Sequence, residues 1–490
     1  MLLAEERAEN ERLRQIIRAM QRHRFGRRAE SLPEDQLLLG IEEAEQVEAA
    51  GHAVEETTPA VKAGRTARRR TNRGMLPAHL PRIETLVDIE TRACPCCAGL
   101  LHRIGEDVSE RLDVVPAQLR VRVIRRPRYA CRTCEDVVVQ APAPARLIEG
   151  GLPTDDLVAQ VLVSKYADHL PLYRQAQIYA RQGISLDRST LADWVGRAAF
   201  LLRPVHERLL ETLKRSGKLF ADETTAPVLD PGRGRTKTGQ LWAYARDDRP
   251  WGGTDPPGVA FVYAADRTAD RPTAHLAGFQ GVLQVDGYDG YKAMAKRHGG
   301  VQLAFCWSHV RRAFYDLAGP IASEALARIA ALYRIETDIR GRAGEERQAV
   351  RQARSRPIIN ALEPWLREKL ALVSQKSKLA DAIRYALARW SGLTLFLDDG
   401  RVELDTNVVE RAIRPLALNR KNSLFAGSDG GAQHWAVIAS LIETCKLTGV
   451  EPRGYLADVI ARIVDGHMNS RLDELLPWNY PATPALKAVA

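Results

Sequence analysis

Three short apolar runs between residues 217 and 266 have the pattern of strands in an antiparallel meander. The runs are "KLFADETTAPVL", "GQLWAYARDD" and "GVAFVYAADR", and turns rich in Gly and Pro separate them. Two more strand-like runs follow, "GVLQVDGY" and "VQLAFCW", each after a short segment with helical character. We therefore predict a mixed sheet of three meander strands followed by two strands that alternate with helices.

Helical periodicity dominates most of the remaining chain. Residues 318–395 are almost wholly helical in pattern, and residues 432–465 predict two further helices. Residues 154–200 predict a helix that ends at Gly183 and a second one that begins after Ser185 or Asp187. Because 318–395 follows the fifth predicted strand, it is interpreted as a helical insertion.

This order of elements is that of a ribonuclease-H-like domain, in which the first and fourth strands are neighbours. The sequence predicts a multidomain α+β protein, whose ribonuclease-H-like mixed-sheet core holds an all-helical insertion and is preceded by a zinc ribbon and a helix-turn-helix. The predicted ranges are an N-terminal helix at 1–28, a charged linker at 29–80, a zinc ribbon at 81–145, a helix-turn-helix at 150–205, the first part of the core at 215–317, the insertion at 318–400, a catalytic helix with C-terminal helices at 401–466, and a tail at 467–490.

The predicted N-terminal helix has a heptad pattern, with Leu3, Asn10 and Ile17 at one core position. It fits either a dimerising coiled coil or a lone amphipathic helix. Residues 30–60 are acidic without Lys or Arg, and "KAGRTARRRTNRG" follows without an acidic residue. These blocks indicate a disordered linker, whose basic half either contacts phosphates or neutralises the acidic half.

Four of the seven cysteines form two Cys-x-x-Cys pairs. In a reducing cytosol this spacing indicates metal binding rather than disulfides. Cys94, Cys97, Cys131 and Cys134 therefore predict one tetrahedral zinc ion, which is structural because four thiolates leave no open position.

The helix after Gly183 presents Arg188, Ser189 and Thr190 near its N-terminus. In a helix-turn-helix, this end of the recognition helix contacts base edges. Helix pairs with such turns are also common in ordinary cores, so DNA binding and core packing both stay open.

The formal net charge of +10 and the isoelectric point near 9.3 favour nucleic acid as a partner. No apolar stretch reaches the roughly 18–20 residues of a membrane span. The early charges in "MLLAEERAENERLRQ" exclude a secretory signal. We expect a cytoplasmic protein with no membrane partner.

Three acidic residues are candidates for a catalytic metal site. Asp222 and Asp286 lie at the ends of strand-like runs, and Glu410 lies on an arginine-rich helical stretch. Neighbouring carboxylates repel each other unless a cation lies between them. Mg²⁺, with Mn²⁺ as a substitute, prefers such oxygen ligands, and two such ions support phosphoryl transfer.

Each acid also has a structural interpretation. Asp222 fits a cap or a salt bridge, Asp286 fits a turn former, and Glu410 fits the last residue of a helix capping box that begins at Asn407. Glu403 and Asp405 are the fallback choices for the third acid. The helix of Glu410 also carries or precedes four candidates for contacts with the DNA backbone: Arg411, Arg414, Arg420 and Lys421.

The motif Cys306-Trp-Ser-His309 opens the insertion. One Cys/His pair supplies only half a metal site, so local packing beside the active site is the preferred interpretation. Trp307 fits a core position better than a platform for an unpaired base. Asp289 is expected to be exposed in a turn.

These motifs together resemble a known family. "CPCC…CRTC", "FADETTAPVL", "LQVDGYDGY", "CWSHVRRAF" and "VERAIRPLALNRKNSLFAGSDGG" are similar to those of bacterial insertion-sequence transposases of family sixty-six, DDE transposases of the transposase C type, over roughly residues 65–480. The resemblance implies a DDE transposase that acts on terminal inverted repeats with Mg²⁺. It also implies that Asp222, Asp286 and Glu410 are the catalytic triad and that the four paired cysteines bind zinc.

The resulting hypothesis is a DNA transposase that cleaves element ends and joins them to target DNA. Two ends to be joined imply at least a homodimer, accessory proteins of the element are further partners, and DNA binding implies association with the nucleoid. The alternatives are a non-catalytic DNA-binding protein, either a decayed transposase or a regulator, and a structure-specific nuclease.

Overall fold

The computed structural model describes residues 119–130, 138–148, 151–230, 234–317 and 319–481. All of them belong to one compact unit. The predicted N-terminal helix, the charged linker and the predicted zinc ligands Cys94, Cys97, Cys131 and Cys134 lie outside the described residues. Two short antiparallel strands, β1 (Arg128–Ala130) and β2 (Val138–Gln140), flank the second Cys-x-x-Cys pair in the chain.

Among the described residues, three helices precede the main sheet: α1 (Asp155–Tyr166), α2 (Leu172–Arg181) and α3 (Arg188–Lys214). The turn between α2 and α3 contains Gly183 at φ 82°, a conformation that glycine adopts without strain. The Asp187 carboxylate accepts the Ser189 N–H at 2.7 Å and caps α3. The predicted helix break and restart are therefore confirmed.

The predicted boundary at 205 falls within α3, which continues through Pro204 to Lys214. Proline lacks an N–H but is tolerated here because apolar residues on both sides of it, Leu202 and Val205, are fully buried. The helix therefore connects the region of 150–205 directly to the sheet, and both share one hydrophobic core.

Five strands form the main sheet, in the spatial order β5-β4-β3-β6-β7. The first three are antiparallel, whereas β6 pairs in parallel with both β3 and β7. This confirms the predicted mixed sheet. The strands and their connecting helices are β3 (Lys218–Asp230), β4 (Arg235–Arg246), β5 (Gly258–Ala264), α4 (Asp270–His275), β6 (Gly281–Val285), α5 (Asp289–Arg297) and β7 (Val301–Phe305).

A block of helices follows β7, as predicted. Trp307 at its start is buried, donates from Nε1 to the Leu393 carbonyl at 2.8 Å and packs edge-on against Trp390, which confirms its core position. The block contains α6 (Trp307–Tyr315), α7 (Pro320–Ile339), α8 (Gly344–Val350), a π-helical turn (Arg351–Ser355), α9 (Arg356–Leu372), α10 (Lys378–Leu387) and α11 (Trp390–Thr394).

A buried ion-pair network connects this block to the chain that re-enters the core. Glu336 on α7 pairs with Arg351 at 2.7 Å and with Arg347 at 3.1 Å, and Arg347 also pairs with Glu403 at 2.7 Å. Both arginines are buried, so losing one partner would leave a charge without compensation. The network thereby fixes the segment that leads to Glu410.

Three helices complete the described chain: α12 (Asn407–Ser423), α13 (Asp429–Thr448) and α14 (Pro452–Val464). The α13 helix covers the edge strand β5, because Ser440 Oγ accepts the Phe261 N–H at 2.7 Å and Thr444 Oγ1 accepts the Val259 N–H at 3.1 Å. Gly430 and Gly431 lie in the first turn of α13, which Ser428 caps. Within the described ranges, no helix combines the length and the apolar character needed to cross a membrane.

Candidate active site

Parallel pairing of β3 with β6 brings two of the predicted acids together. Phe220 pairs with Gln284 in this register, and the residues two positions further along each chain are Asp222 and Asp286. Asp286 therefore follows the end of β6, and Asp222 lies beside it within β3, although 64 positions (286 − 222) separate them in the sequence. The expectation that Asp222 ends its strand is wrong, because β3 continues to Asp230 as the partner of β4.

The Asp222 carboxyl lies in a strongly electronegative environment. Burial, together with the nearby carboxylates of Asp286, Glu223 and Glu410, raises its pKa to about 8. The Glu223 N–H donates to Asp222 Oδ1 at 2.8 Å, which opposes the shift only in part. The Asp286 and Glu410 carboxylates therefore both lie close enough to Asp222 to raise its pKa.

Arg267 and Tyr291 compensate the negative charge of the neighbouring Glu223. Its side chain is 2% exposed, forms an ion pair with Arg267 and accepts a hydrogen bond from Tyr291 at 3.1 Å. The Arg267 guanidinium also lies 4.3 Å from the centre of the Tyr288 ring. The salt-bridge interpretation therefore applies to Glu223 and not to Asp222.

The helical block that follows β7 holds the Asp286 backbone in place. Tyr385 on α10 donates from its hydroxyl to the Asp286 carbonyl at 2.8 Å, and Arg389 donates to the Gly287 carbonyl at 3.2 Å. Arg389 stacks on Tyr385, 3.9 Å from the ring centre. Gly287 has φ 112°, and a Cβ there would collide with Arg389. We refer to Tyr385 and Arg389 as the Asp286 clasp.

Asp286 also fits its structural interpretation, because its Oδ1 accepts the Tyr288 N–H at 2.9 Å. The same carboxylate therefore shapes the turn and faces Asp222. Asp289, expected to be exposed in a turn, is exposed but begins α5 and pairs with Lys292 at 2.9 Å.

Glu410 reaches the cluster from the first turn of α12. The Gln284 side chain on β6 exchanges two hydrogen bonds of 2.9 Å with the backbone of Glu403, which docks the incoming chain on the sheet. Glu410 Oε1 accepts a hydrogen bond of 3.0 Å from Thr406 Oγ1, and no capping box forms at Asn407 because Thr406 is the residue that precedes the helix. The fallback acids have other partners: Glu403 pairs with Arg347, and Asp405 accepts from the Asn407 N–H and amide.

Cys306 and His309 border Glu410. Their ligand atoms and a Glu410 carboxylate oxygen all lie within 4.8 Å of one another. Cys306 Sγ accepts the Thr406 N–H at 3.4 Å, so the pair helps to hold α12 beside the cluster.

The predicted DNA-contacting residues occupy two separate surfaces. Arg411, Arg414 and Lys421 are exposed on the helix of Glu410, while Arg420 binds the Thr225 carbonyl and hydroxyl on β3. On the other surface, Arg188 and Ser189 are exposed at the start of α3, and Thr190 is half-buried. The hydroxyl of Ser189 donates to Asp187, the residue that caps the helix.

The cluster fits divalent cations. Among the described residues, no Lys or Arg forms an ion pair with Asp222 or Asp286, so nothing else in this part of the chain neutralises them directly. Carboxylate oxygens without a counter-charge are the ligands that Mg²⁺ and Mn²⁺ prefer. Asp222, Asp286 and Glu410 would hold these ions.

Family models match most of this chain. The model of the "Transposase IS66 family" covers residues 150–434, and that range includes Asp222, Asp286 and Glu410. The chain belongs to the IS66 transposase family. This confirms the resemblance described from the sequence motifs, and membership in a transposase family implies DNA as a partner.

Three further models cover other parts of this IS66 transposase. The "zinc-finger binding domain of transposase IS66" matches residues 91–135, which contain all four predicted zinc ligands and support a structural zinc ion. The "Transposase C of IS166 homeodomain" matches residues 12–85, and the "IS66 C-terminal element" matches 440–478.

Three relatives from Sinorhizobium fredii resemble the chain over most of their length, and all three are called uncharacterized. Protein y4jD is 51% identical over 84% of this chain and 82% of its own. Protein y4qI is 46% identical over 98% of this chain and 91% of its own length. Protein y4hP is 38% identical over 97% of this chain and 88% of its own length.

Several residues around the acids were not found by sequence reasoning. Tyr385 and Arg389 come from the insertion, Arg267 follows β5, and Thr406 precedes α12. Of these, only Thr406 carries a signal in the sequence, as a hydroxyl residue placed just before a predicted helix.

Proposed function

We propose that this protein is a DNA transposase that binds the terminal inverted repeats of its element and catalyses metal-dependent strand cleavage and strand transfer. The observation that carries the proposal is the proximity of Asp286 and Glu410 to Asp222, whose pKa is raised to about 8 by burial and by its acidic neighbours. Membership in a transposase family is the second support.

We further infer a ribonuclease-H-like core. Its support is the order β5-β4-β3-β6-β7, with an antiparallel meander joined to two parallel strands, and a helix that brings the third acid back to the sheet. The helices between β7 and α12 are then an insertion in this core.

In this proposal, Asp222, Asp286 and Glu410 hold two Mg²⁺ or Mn²⁺ ions. When bound, two such ions activate the attacking hydroxyl and stabilise the departing 3′ oxygen. Asp222 must release its proton to become a ligand, and Tyr385 and Thr406 hold Asp286 and Glu410 in position. Exposed Arg411, one residue beyond Glu410, is placed to contact a DNA phosphate.

Other parts of the chain recognise DNA and partners in the same proposal. The zinc ion is bound by Cys94, Cys97, Cys131 and Cys134. The start of α3, with Arg188, contacts the element end. Because two ends are joined, the active form is at least a homodimer, and accessory proteins of the element are further partners. Binding to chromosomal DNA associates the protein with the nucleoid.

The test is strand cleavage and joining by the purified full-length protein. The substrates are a labelled duplex that carries the element's end and a supercoiled target plasmid, with Mg²⁺ or Mn²⁺. We expect cleavage at the end and covalent transfer to the plasmid. Asp222→Asn, Asp286→Asn and Glu410→Gln should each lower both rates at least about a hundredfold, since each removes contacts to developing charge.

Asp289→Asn is the matched control, because Asp289 is an exposed acid in the same segment and pairs with Lys292. It should retain the wild-type rates. End binding without cleavage by the wild-type protein would favour the non-catalytic DNA-binding alternative. Cleavage without joining would favour a nuclease, and wild-type activity of Asp286→Asn would refute the assigned role.

A further inference from the structure

The first turn of α6 carries a Cys/His pair that faces another helix start. Cys306 directly precedes the helix in an extended conformation, and His309 is its third residue. The spacing brings both side chains to the same turn. Cys306 is 1% exposed, so its thiol is removed from solvent and from oxidants.

Two hydrogen bonds hold the starts of α6 and α12 together. The Trp307 N–H donates to the Leu404 carbonyl at 2.8 Å, and the Thr406 N–H donates to Cys306 Sγ at 3.4 Å. Glu410 is on the first turn of α12 and therefore faces the Cys/His pair. The sequence supplied half a metal site, and the fold adds a third ligand from a residue 101 positions away (410 − 309).

The arrangement of donor atoms is suited to a cation. Sγ, a ring nitrogen and a carboxylate oxygen lie within 4.8 Å of one another, and His309 Nδ1 is 3.9 Å from Glu410 Oε1. That distance is too long for a hydrogen bond. Among the described residues, the solvent-inaccessible His309 Nδ1 has no hydrogen-bond partner. An orphaned nitrogen that faces a carboxylate and a thiol is explained by a shared ion.

We propose that Cys306, His309 and Glu410 bind one thiophilic divalent cation of the zinc class. A sulfur, nitrogen and oxygen donor set suits zinc and cobalt, whereas Mg²⁺ disfavours thiolates. In a tetrahedral zinc site, donors are roughly 3.3–3.5 Å apart, so the three groups must close by about 1 Å. Binding replaces the thiol proton, which passes to solvent, and the Thr406 N–H then donates to the thiolate.

This site shares Glu410 with the proposed catalytic cluster, but its other two ligands, Cys306 and His309, are not part of that cluster. Oε1 faces His309 and Thr406, and a carboxylate has a second oxygen with which to reach the Asp222 side. A bound ion would fix the rotamer of Glu410 and lock the starts of α6 and α12 together. The three protein ligands leave a fourth position open.

The test is a Co²⁺ titration of the full-length protein after a chelator has emptied the three-ligand site and left zinc in the four-cysteine site. The experiment needs no DNA, so its outcome is independent of strand cleavage. We expect one additional Co²⁺ per chain, with near-ultraviolet absorption from sulfur-to-cobalt charge transfer. Asp222 and Asp286 have no sulfur and cannot produce this signal.

Cys306→Ser should abolish the absorption, and His309→Gln should weaken Co²⁺ binding at least about tenfold. Cys445→Ser is the matched control, because Cys445 is the other buried free cysteine of the described chain, and it should behave as wild type. The control also accounts for exchange of cobalt into the four-cysteine site, which both serine variants retain.

Persistence of the absorption in Cys306→Ser, or no uptake of Co²⁺ by the wild-type protein, would overturn the proposal. Cys306 would then act only as the hydrogen-bond acceptor of Thr406. Serine keeps that acceptor, which favours folding of the variant. If melting shows that Cys306→Ser is unfolded, His309→Gln decides, because His309 is 30% exposed and its loss leaves the thiol in place.

Discussion

At the scale of single residues, Asp222 shows how position changes a common side chain. An aspartate pKa is ordinarily near 3.8, but burial together with Asp286, Glu223 and Glu410 raises that of Asp222 to about 8. Without cations, the folded protein therefore carries a proton at a site that must be ionised to bind metal. Metal binding and proton release are linked at this residue.

The linkage predicts a pH dependence of stability. Between pH 4 and pH 8, folded Asp222 retains a proton that the unfolded chain has lost, so its contribution to stability is lost as pH rises through this window. We expect the free energy of unfolding in Mg²⁺-free buffer to fall by up to about 1.4 kcal/mol per pH unit more in the wild type than in Asp222→Asn. Urea unfolding at pH 5, 6.5 and 8 measures the difference.

Asp289→Asn is the control for that series and should keep the wild-type slope, since Asp289 is exposed and paired with Lys292. Addition of Mg²⁺ at pH 8 should stabilise the wild type and not Asp222→Asn. Identical slopes for the wild type and Asp222→Asn would show that Asp222 is ionised without metal.

At the scale of elements, α10 acts on the active site through the Asp286 clasp. Tyr385 and Arg389 bind the two consecutive carbonyls of Asp286 and Gly287. They stabilise a backbone turn with φ 112° at Gly287, a conformation that other residues rarely adopt. The helical block thus has a local role in holding Asp286, a proposed metal ligand.

Tyr385→Phe tests the clasp with the loss of a single hydroxyl. The ring remains to stack on Arg389, so we expect a stability change of only about 1 kcal/mol. Cleavage should fall about tenfold at limiting Mg²⁺ and recover at high Mg²⁺, because a looser Asp286 mainly weakens metal binding. The Mg²⁺ dependence of the rate, and calorimetry of Mg²⁺ binding, measure this. Tyr315→Phe, at an exposed tyrosine, should leave both unchanged.

The three candidate acids could be predicted from the sequence, whereas the residues that position them could not. The order of strands sufficed to predict that Asp222 and Asp286 are neighbours, because the first and fourth strands of such a sheet pair with each other. Glu410 was predicted from its position on an arginine-rich helix. Tyr385 lies 99 positions from Asp286 in an ordinary amphipathic helix, and nothing in that pattern marks its hydroxyl. Contacts of this kind depend on how the insertion packs, which no local pattern encodes.

At the scale of the whole described unit, a helix near its N-terminal end packs against a helix near its C-terminal end. The α14 helix packs against α1, and Arg453 pairs with Asp156 at 3.0 Å. Leu456 and Ile460 of α14 belong to the same hydrophobic core as Val158 of α1. The candidate DNA-binding helices are therefore stabilised by the C-terminal part of the chain.

Ile460→Ala should lower the free energy of unfolding by about 2–5 kcal/mol, the range for a large-to-small change at a fully buried position. Hydrogen exchange should show faster exchange in α1 as well as in α14, because the two helices pack together. Arg453→Ala removes an exposed ion pair and should change stability by less than about 1 kcal/mol. Loosening of α14 alone, with α1 protection unchanged, would contradict this coupling.

The hydrogen bond from the Trp307 N–H to the Leu404 carbonyl determines which changes in chain length this fold can accommodate. The chain departs from the sheet and returns to it at one point, although 97 positions (404 − 307) lie between these residues. The length of the chain between Trp307 and Leu404 therefore imposes no strain on the three candidate acids. We therefore expect turns distant from α10 to tolerate lengthening, trimming or inserted sequence without displacing the three candidate acids.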